Sequence, residues 1–164
     1  VFILADLILI CEHKIVKTMR NKTLKNRLFK TGAILMTIAI ILGAFGSHLF
    51  KKHMDEGYLN AFETAVRYMV YHGLALLILS SLQRRLRTSP LNFAFNIMLI
   101  GLFIFSGSII IMSVSSIWLG DTVRWIGMIT PIGGLLLIFS WFWLATKSLK
   151  SEDEILREGS QDAK

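Results

Sequence analysis

Residues 61–82 read AFETAVRYMVYHGLALLILSSL. The second half of this stretch is apolar. The first half places Glu63, Thr64, Arg67, Tyr68, Tyr71 and His72 at helical spacing. A helix of this composition, set among other apolar runs, carries a polar stripe partly inside a bilayer. Ionisable groups at such depth face a cavity or one another.

Working outward, three further apolar runs occupy residues 31–49, 91–117 and 125–146. Each reaches the roughly 20 residues that a helix needs to cross about 30 Å of hydrocarbon. The chain of 164 residues is 54% hydrophobic and 18% charged, below the roughly 25% charge of soluble domains. These features predict an all-α polytopic membrane protein: a left-handed, antiparallel four-transmembrane-helix bundle spanning residues 31–146. The formal charge of +7 is clustered beside the apolar runs. That placement sets topology and excludes a nucleic-acid partner, which needs basic residues spread over a soluble face with aromatics between them. The lone Cys11 permits no internal disulfide.

The flanks set the orientation. Residues 19–30 (Met19, Arg20, Lys22, Lys25, Arg27, Lys30), the loop with Arg84, Arg85 and Arg87, and Lys147 with Lys150 are basic and share one side. Lys51 and Lys52 on the other side are offset by Asp55 and Glu56, and Arg124 by Asp121. By the positive-inside rule both termini lie in the cytoplasm, in a multi-pass protein of the cell membrane. Trp118 and Trp125 mark one interface, Trp141 and Trp143 the other. Residues 50–60 are expected to lie in the interface. Ser89 is the expected N-cap of the third helix, with Pro90 at its first position. Pro131 and its neighbouring glycines interrupt the fourth helix. Residues 147–164 form a polar, solvated tail.

Four motifs occur in order: Gly43-Ala44-Phe45-Gly46-Ser47-His48, Tyr68-Met69-Val70-Tyr71-His72-Gly73-Leu74-Ala75-Leu76, Phe105-Ser106-Gly107-Ser108 and Ile129-Thr130-Pro131-Ile132-Gly133-Gly134. Together they resemble the domain-of-unknown-function 423 family, also called uncharacterised protein family 0382, small bacterial membrane proteins similar to transmembrane protein 256. The resemblance covers residues 29–146. It implies four membrane helices and no assigned activity. Ser47 stands where the family usually has alanine, and Met69 where it usually has glutamine.

His48, Glu63, Arg67, Tyr68 and His72 form the candidate intramembrane polar cluster. Glu63 and Arg67, four apart, are expected to pair. His72 is expected some 12–18 Å below the start of its helix, in the outer half, bonded to Tyr68 or to a serine of the third helix. Gly43, Gly46, Ser47, Ser106, Gly107, Ser108, Pro131, Gly133 and Gly134 are small or helix-breaking residues suited to close packing. The spacings of metal sites, nucleophile–base sets and phosphate loops are absent. The expected function is therefore non-enzymatic, without cofactor or metal. The partners are the lipid bilayer and a second copy or another membrane protein. A small carrier or channel subunit, using Glu63, Arg67, Tyr68 and His72 as a polar path, is the first alternative. A haem- or quinone-linked redox accessory, with His48 and His72 as ligands, is the second.

The chain opens on Val1, and its first ten residues form an apolar run broken by Asp6, too short to span. Met19, followed by basic residues and the first long run, reads as the start of a small membrane protein. Residues 1–18 then read as an upstream over-translation or disordered extension, the alternative being an interfacial anchor. Intact mass of the natively expressed protein is expected to show a chain beginning at Met19; a species retaining Cys11 refutes this.

Overall fold

In hydrocarbon an unpaired backbone N–H or C=O is costly, so a spanning segment must close its hydrogen bonds internally, as a helix does. The computed structural model describes residues 2–150 and Glu154. It contains α1 (Phe2–His48), α2 (Glu56–Leu82), α3 (Thr88–Leu119) and α4 (Thr130–Lys147), with 3₁₀ segments at Phe50–Lys52, Gln83–Arg85 and Gly120–Ile129. Four stretches are long and apolar enough to cross a membrane: Asn21–Lys52, Glu56–Arg85, Thr88–Leu119 and Trp125–Lys147. The protein is an all-α, four-helix membrane protein whose successive helices run antiparallel.

The outward faces are those of a molecule in lipid. Phe103 is 82% exposed and Ile138 68%, an apolar display far beyond what water-soluble monomers carry. Hydroxyls on exposed helix surfaces turn back on their own backbone. Thr37 donates to the Ala33 carbonyl at 3.0 Å and Thr146 to that of Phe142 at 3.0 Å, which shields them from hydrocarbon.

Four boundaries differ from the sequence expectation. α1 begins at Phe2, so residues 19–30, expected as a flank, continue the helix of the first span. α2 begins at Glu56, so residues 56–60 are not a separate interfacial segment. Met54, Tyr58 and Phe62 are buried, and Phe50 meets Phe62 edge-on at 5.1 Å. Burying this aromatic cluster against the far end of α3 outweighs laying the segment flat in the interface. Arg87, not Ser89, is the N-cap of α3. Pro90 is then the third helical residue, where the missing N–H is still harmless because first-turn donors have no partner inside the helix. Pro131 does not interrupt a helix but opens α4, for the same reason. The residues before it wind as 3₁₀ helix.

α1 packs along α2, α3 along α4, and α2 against α3. Two glycine crossings set the first two contacts. A Cβ on Gly32 would lie 2.8 Å from the Gly73 carbonyl oxygen, and one on Gly133 would lie 2.8 Å from that of Gly101 and collide with the Phe105 backbone nitrogen. Without a hydrophobic drive between helices in lipid, such backbone approach supplies the dispersion contacts.

One end of the molecule is stitched together. The Arg87 N–H donates to the Ser148 carbonyl (2.7 Å) and that of Lys150 to Arg85 (3.2 Å), around a bridge between Leu86 and Leu149. Ser80 Oγ–H donates to the Lys25 carbonyl at 3.1 Å, and the Thr88 hydroxyl donates to the Asn21 side-chain oxygen. Arg87 pairs with Glu154 at 3.1 Å. The remaining tail, with Glu152, Asp153, Arg157 and Glu158, lies outside the described residues.

Gly133→Ala is expected to destabilise the protein by about 1–3 kcal/mol through overpacking. Gly107→Ala, where an added Cβ meets nothing within 4 Å, is expected to be neutral or stabilising. Thermal denaturation in mild detergent checks both; equal effects would remove the close crossing.

Candidate functional site

The polar groups of α2 do not form one cluster. Positions 63 and 67 lie about 140° around the helix from 68 and 72, at 100° per residue. The structure directs the two sets to different neighbours. Glu63 and Arg67, with Phe62 and Val66, line a groove of about 260 Å³ whose opposite wall is Gly43, Gly46 and Ser47 of α1. The expected Glu63–Arg67 pair does not form. Arg67 Nη2 instead donates to Thr64 Oγ1 at 3.0 Å, one turn nearer the helix start, and Thr64 donates to the Asn60 carbonyl at 2.9 Å. Both charged residues are exposed.

The second set belongs to α3 and α4. Tyr68 packs on Phe105 of α3 with ring centroids 4.5 Å apart and stacks over His72 at 6.0 Å. His72 is buried. Its Nδ1 lies 2.8 Å from the Tyr68 carbonyl oxygen, and Trp141 Nε1–H of α4 donates to its Nε2 at 3.3 Å. An indole N–H can only donate and a carbonyl can only accept. Nε2 is therefore the lone-pair nitrogen and Nδ1 carries the proton. Two bonds fix one neutral tautomer and one ring orientation.

This places His72 differently from the sequence expectation. With α2 starting at Glu56, His72 lies about 24 Å along the helix from that end and about 15 Å from Leu82. It is past the middle, toward the basic end. Its side-chain partner is Trp141, which the sequence assigned to an interface, and not a serine of α3. The α3 serine nearest the expected depth, Ser106, donates to the Ala65 carbonyl of α2 at 3.1 Å. His48 is exposed at the last turn of α1, on the side of the molecule where α2 begins. The axial distance keeps His48 and His72 from sharing a metal or haem iron, whose ligand atoms lie only about 2 Å from the metal. Among the described residues, no three His, Cys, Asp or Glu side chains come together.

The small residues also divide. Ser106 ties α3 to α2. Ser108 Oγ and Thr130 Oγ1 share a hydrogen bond of 2.9 Å between α3 and the start of α4. Gly46 lies against the Phe62 ring, where an added Cβ would stand 3.0 Å from it, and Gly134 has ordinary contact with the Phe105 ring. Gly43 is less crowded, its nearest neighbour being Val66 at 3.9 Å, and Gly107 faces open space. Ser47 donates to the Gly43 carbonyl of its own helix at 3.1 Å. The sequence reading missed Gly32, Gly73 and Gly101. Gly73, the one glycine of residues 61–82, was the available signal. Three buried groups, Ser113 Oγ, Trp143 Nε1 and Ser148 Oγ, have no partner among the described residues, and nothing in the structure explains them.

The family model described as protein of unknown function (DUF423) matches residues 42–134. A UPF0382 membrane protein of Staphylococcus haemolyticus is 34% identical over 119 residues, covering 73% of this chain and 92% of its own. The UPF0382 membrane protein YwdK of Bacillus subtilis is 35% identical over 120 residues, covering 73% and 93%. A UPF0382 membrane protein of Staphylococcus epidermidis is 34% identical over 119 residues, covering 73% and 92%. No solved structure matches this chain.

Trp141→Phe keeps an aromatic ring but leaves Nε2 of His72 without its donor. A loss of about 1–3 kcal/mol is expected, read as a lower unfolding temperature in detergent. In the parent protein, ¹⁵N spectra of labelled histidine are expected to show one neutral, Nδ1-protonated ring; a protonated Nε2 would contradict the assigned network.

Proposed function

The chain belongs to the family of proteins of unknown function DUF423, the UPF0382 membrane proteins, and on that basis we propose a non-enzymatic protein of the cell membrane that acts through helix and lipid contacts. The supporting observation is how the polar side chains of its spans are used. His72 spends both ring nitrogens on Tyr68 and Trp141. Ser106 and Ser108 bond to α2 and to Thr130. These groups join helices to one another, which fixes register and leaves them unavailable to a substrate.

A carrier would need the polar groups of α2 in one continuous file. Glu63 and Arg67 instead face α1, while Tyr68 and His72 face α3 and α4. A working surface then consists of the outward faces and the crevices between helices, and its partners are lipids, a second copy or another membrane protein. The charge distribution supports an orientation with both termini in the cytoplasm. Lys22, Lys25, Arg27, Lys30, Arg84, Arg85, Arg87, Lys147 and Lys150 belong to the end where α1 enters its span and α4 leaves it, and basic residues are retained on the cytoplasmic side.

Proteoliposomes of the purified protein are expected to show no proton or ion flux above empty vesicles. His72→Ala is expected to lower thermal stability without creating or removing a flux. Reporters that fluoresce only in the cytoplasm are expected to report from both termini. A flux abolished by His72→Ala would replace this reading with the carrier, and a reporter silent at one end would overturn the orientation.

A further inference from the structure

α1 and α3 both run away from the basic end, and they lie beside one another with little direct contact. The space between them has two parts. Near the basic end is a cavity of about 290 Å³ lined by Thr23, Leu24 and Arg27 of α1 and by Thr88, Ser89 and Asn92 of α3. Deeper lies a groove of about 580 Å³, lined by Leu35, Ile38 and Leu42 of α1 and by Leu99, Phe103 and Gly107 of α3, among others. We propose that this α1/α3 crevice binds one anionic phospholipid, with the phosphate at Arg27 and an acyl chain in the groove.

The polar end fits a phosphate. The Arg27 guanidinium donates to the side-chain oxygens of Asn92 (3.3 Å) and Asn96 (3.4 Å) and lies 5.2 Å from the Phe95 ring centre. These partners hold it in place but are neutral, so its charge is not cancelled by a carboxylate among the described residues. A guanidinium offers five N–H groups, and only two are used here. Ser89 adds a hydroxyl, that of Thr23 being donated to the Met19 carbonyl, and the first turn of α3 adds its positive dipole end.

The apolar end fits a chain of matching depth. Along α1 the groove begins about 12 Å beyond Arg27, at Leu35, and reaches about 22 Å, at Leu42. One leaflet, headgroup region included, is about 20–22 Å thick. A lipid with its phosphate at Arg27 therefore lays its tail where the groove runs. The same offset holds on α3, from Asn92 to Leu99 and on to Phe103 and Gly107. A free anion would leave the groove empty, and a zwitterionic lipid would set its quaternary ammonium among the basic residues around Arg27, which repel it.

The test uses the full chain in mild detergent, stripped of lipid, with thermal stability and native mass spectrometry as readouts. Phosphatidylglycerol is expected to raise the unfolding temperature and to remain as a one-to-one adduct. Phosphatidylcholine and glycerol phosphate are expected to do neither. Arg27→Gln is expected to weaken phosphatidylglycerol binding by about tenfold or more. Gly107→Phe fills the groove from a position with open space around it and is expected to abolish the adduct without loss of folding. Equal stabilisation by phosphatidylcholine, or by glycerol phosphate, would overturn the proposal. So would an undiminished adduct in either variant, or a lipid-free dimer that Gly107→Phe dissociates.

Discussion

Backbone contact between helices at glycine is the constraint on which this structure rests. In water two amphipathic helices are driven together by the apolar surface they hide, but lipid tails solvate that surface equally well. What remains is close dispersion contact, and it needs positions without a side chain. Gly32 and Gly73 bring α1 onto α2, and Gly101 and Gly133 bring α3 onto α4. The result is two tight helix pairs. The contact between the pairs, α2 on α3, uses a different chemistry: the Ser106 hydroxyl on the Ala65 carbonyl and the Tyr68 ring on Phe105. Because α1 and α3 are each committed to another partner, the crevice between them stays open.

The sequence carried the spans well and their mutual arrangement poorly, for a physical reason. Length and hydropathy are properties of one segment, so four spans and the basic clusters at one end could be read directly. The local chemistry of Thr130-Pro131 also marked a helix end, although it starts α4 rather than bending it. Contacts are properties of two segments. Gly133 stood out beside Gly134 in a recurring motif, but its partner Gly101 sits alone in LIGLFIF, with nothing local to say that another backbone lies against it. Gly107 shows the converse. It is flanked by serines and looked like a packing residue, yet it faces open space. Nor could hydropathy show that residues 56–60 would join α2, since that depends on the burial of Met54, Tyr58 and Phe62.

The candidate site taught a similar lesson at finer scale. The residues of the α2 stripe were legible, but a list of residues at helical spacing does not say which share a face. Steps of four, from 63 to 67 and from 68 to 72, each advance only about 40°, while the two sets stand far apart around the helix. One faces the groove against α1; the other faces Phe105 and Trp141. His72 could be recognised as a polar group needing partners. That one of them would be the indole of Trp141, on a helix some seventy residues later, depends on the way α3 holds α4 beside α2.

That indole–imidazole bond has a consequence for the whole molecule. α2 and α4 share little backbone contact, so Trp141 and His72 reach across rather than pack directly. A rotation of α4 by one residue, about 100°, would carry Trp141 away and leave the buried Nε2 facing apolar side chains. The contact surface of Gly133 alone does not forbid such a rotation, because Gly134 stands beside it and is also small. Hydrogen bonding thus supplies the angular information that glycine crossings lack. Ser108 with Thr130 does so at the start of α4 and His72 with Trp141 toward its end. Two bonds near opposite ends of one helix fix its rotation along its length, and with it the register of the loop that meets residues 148–150.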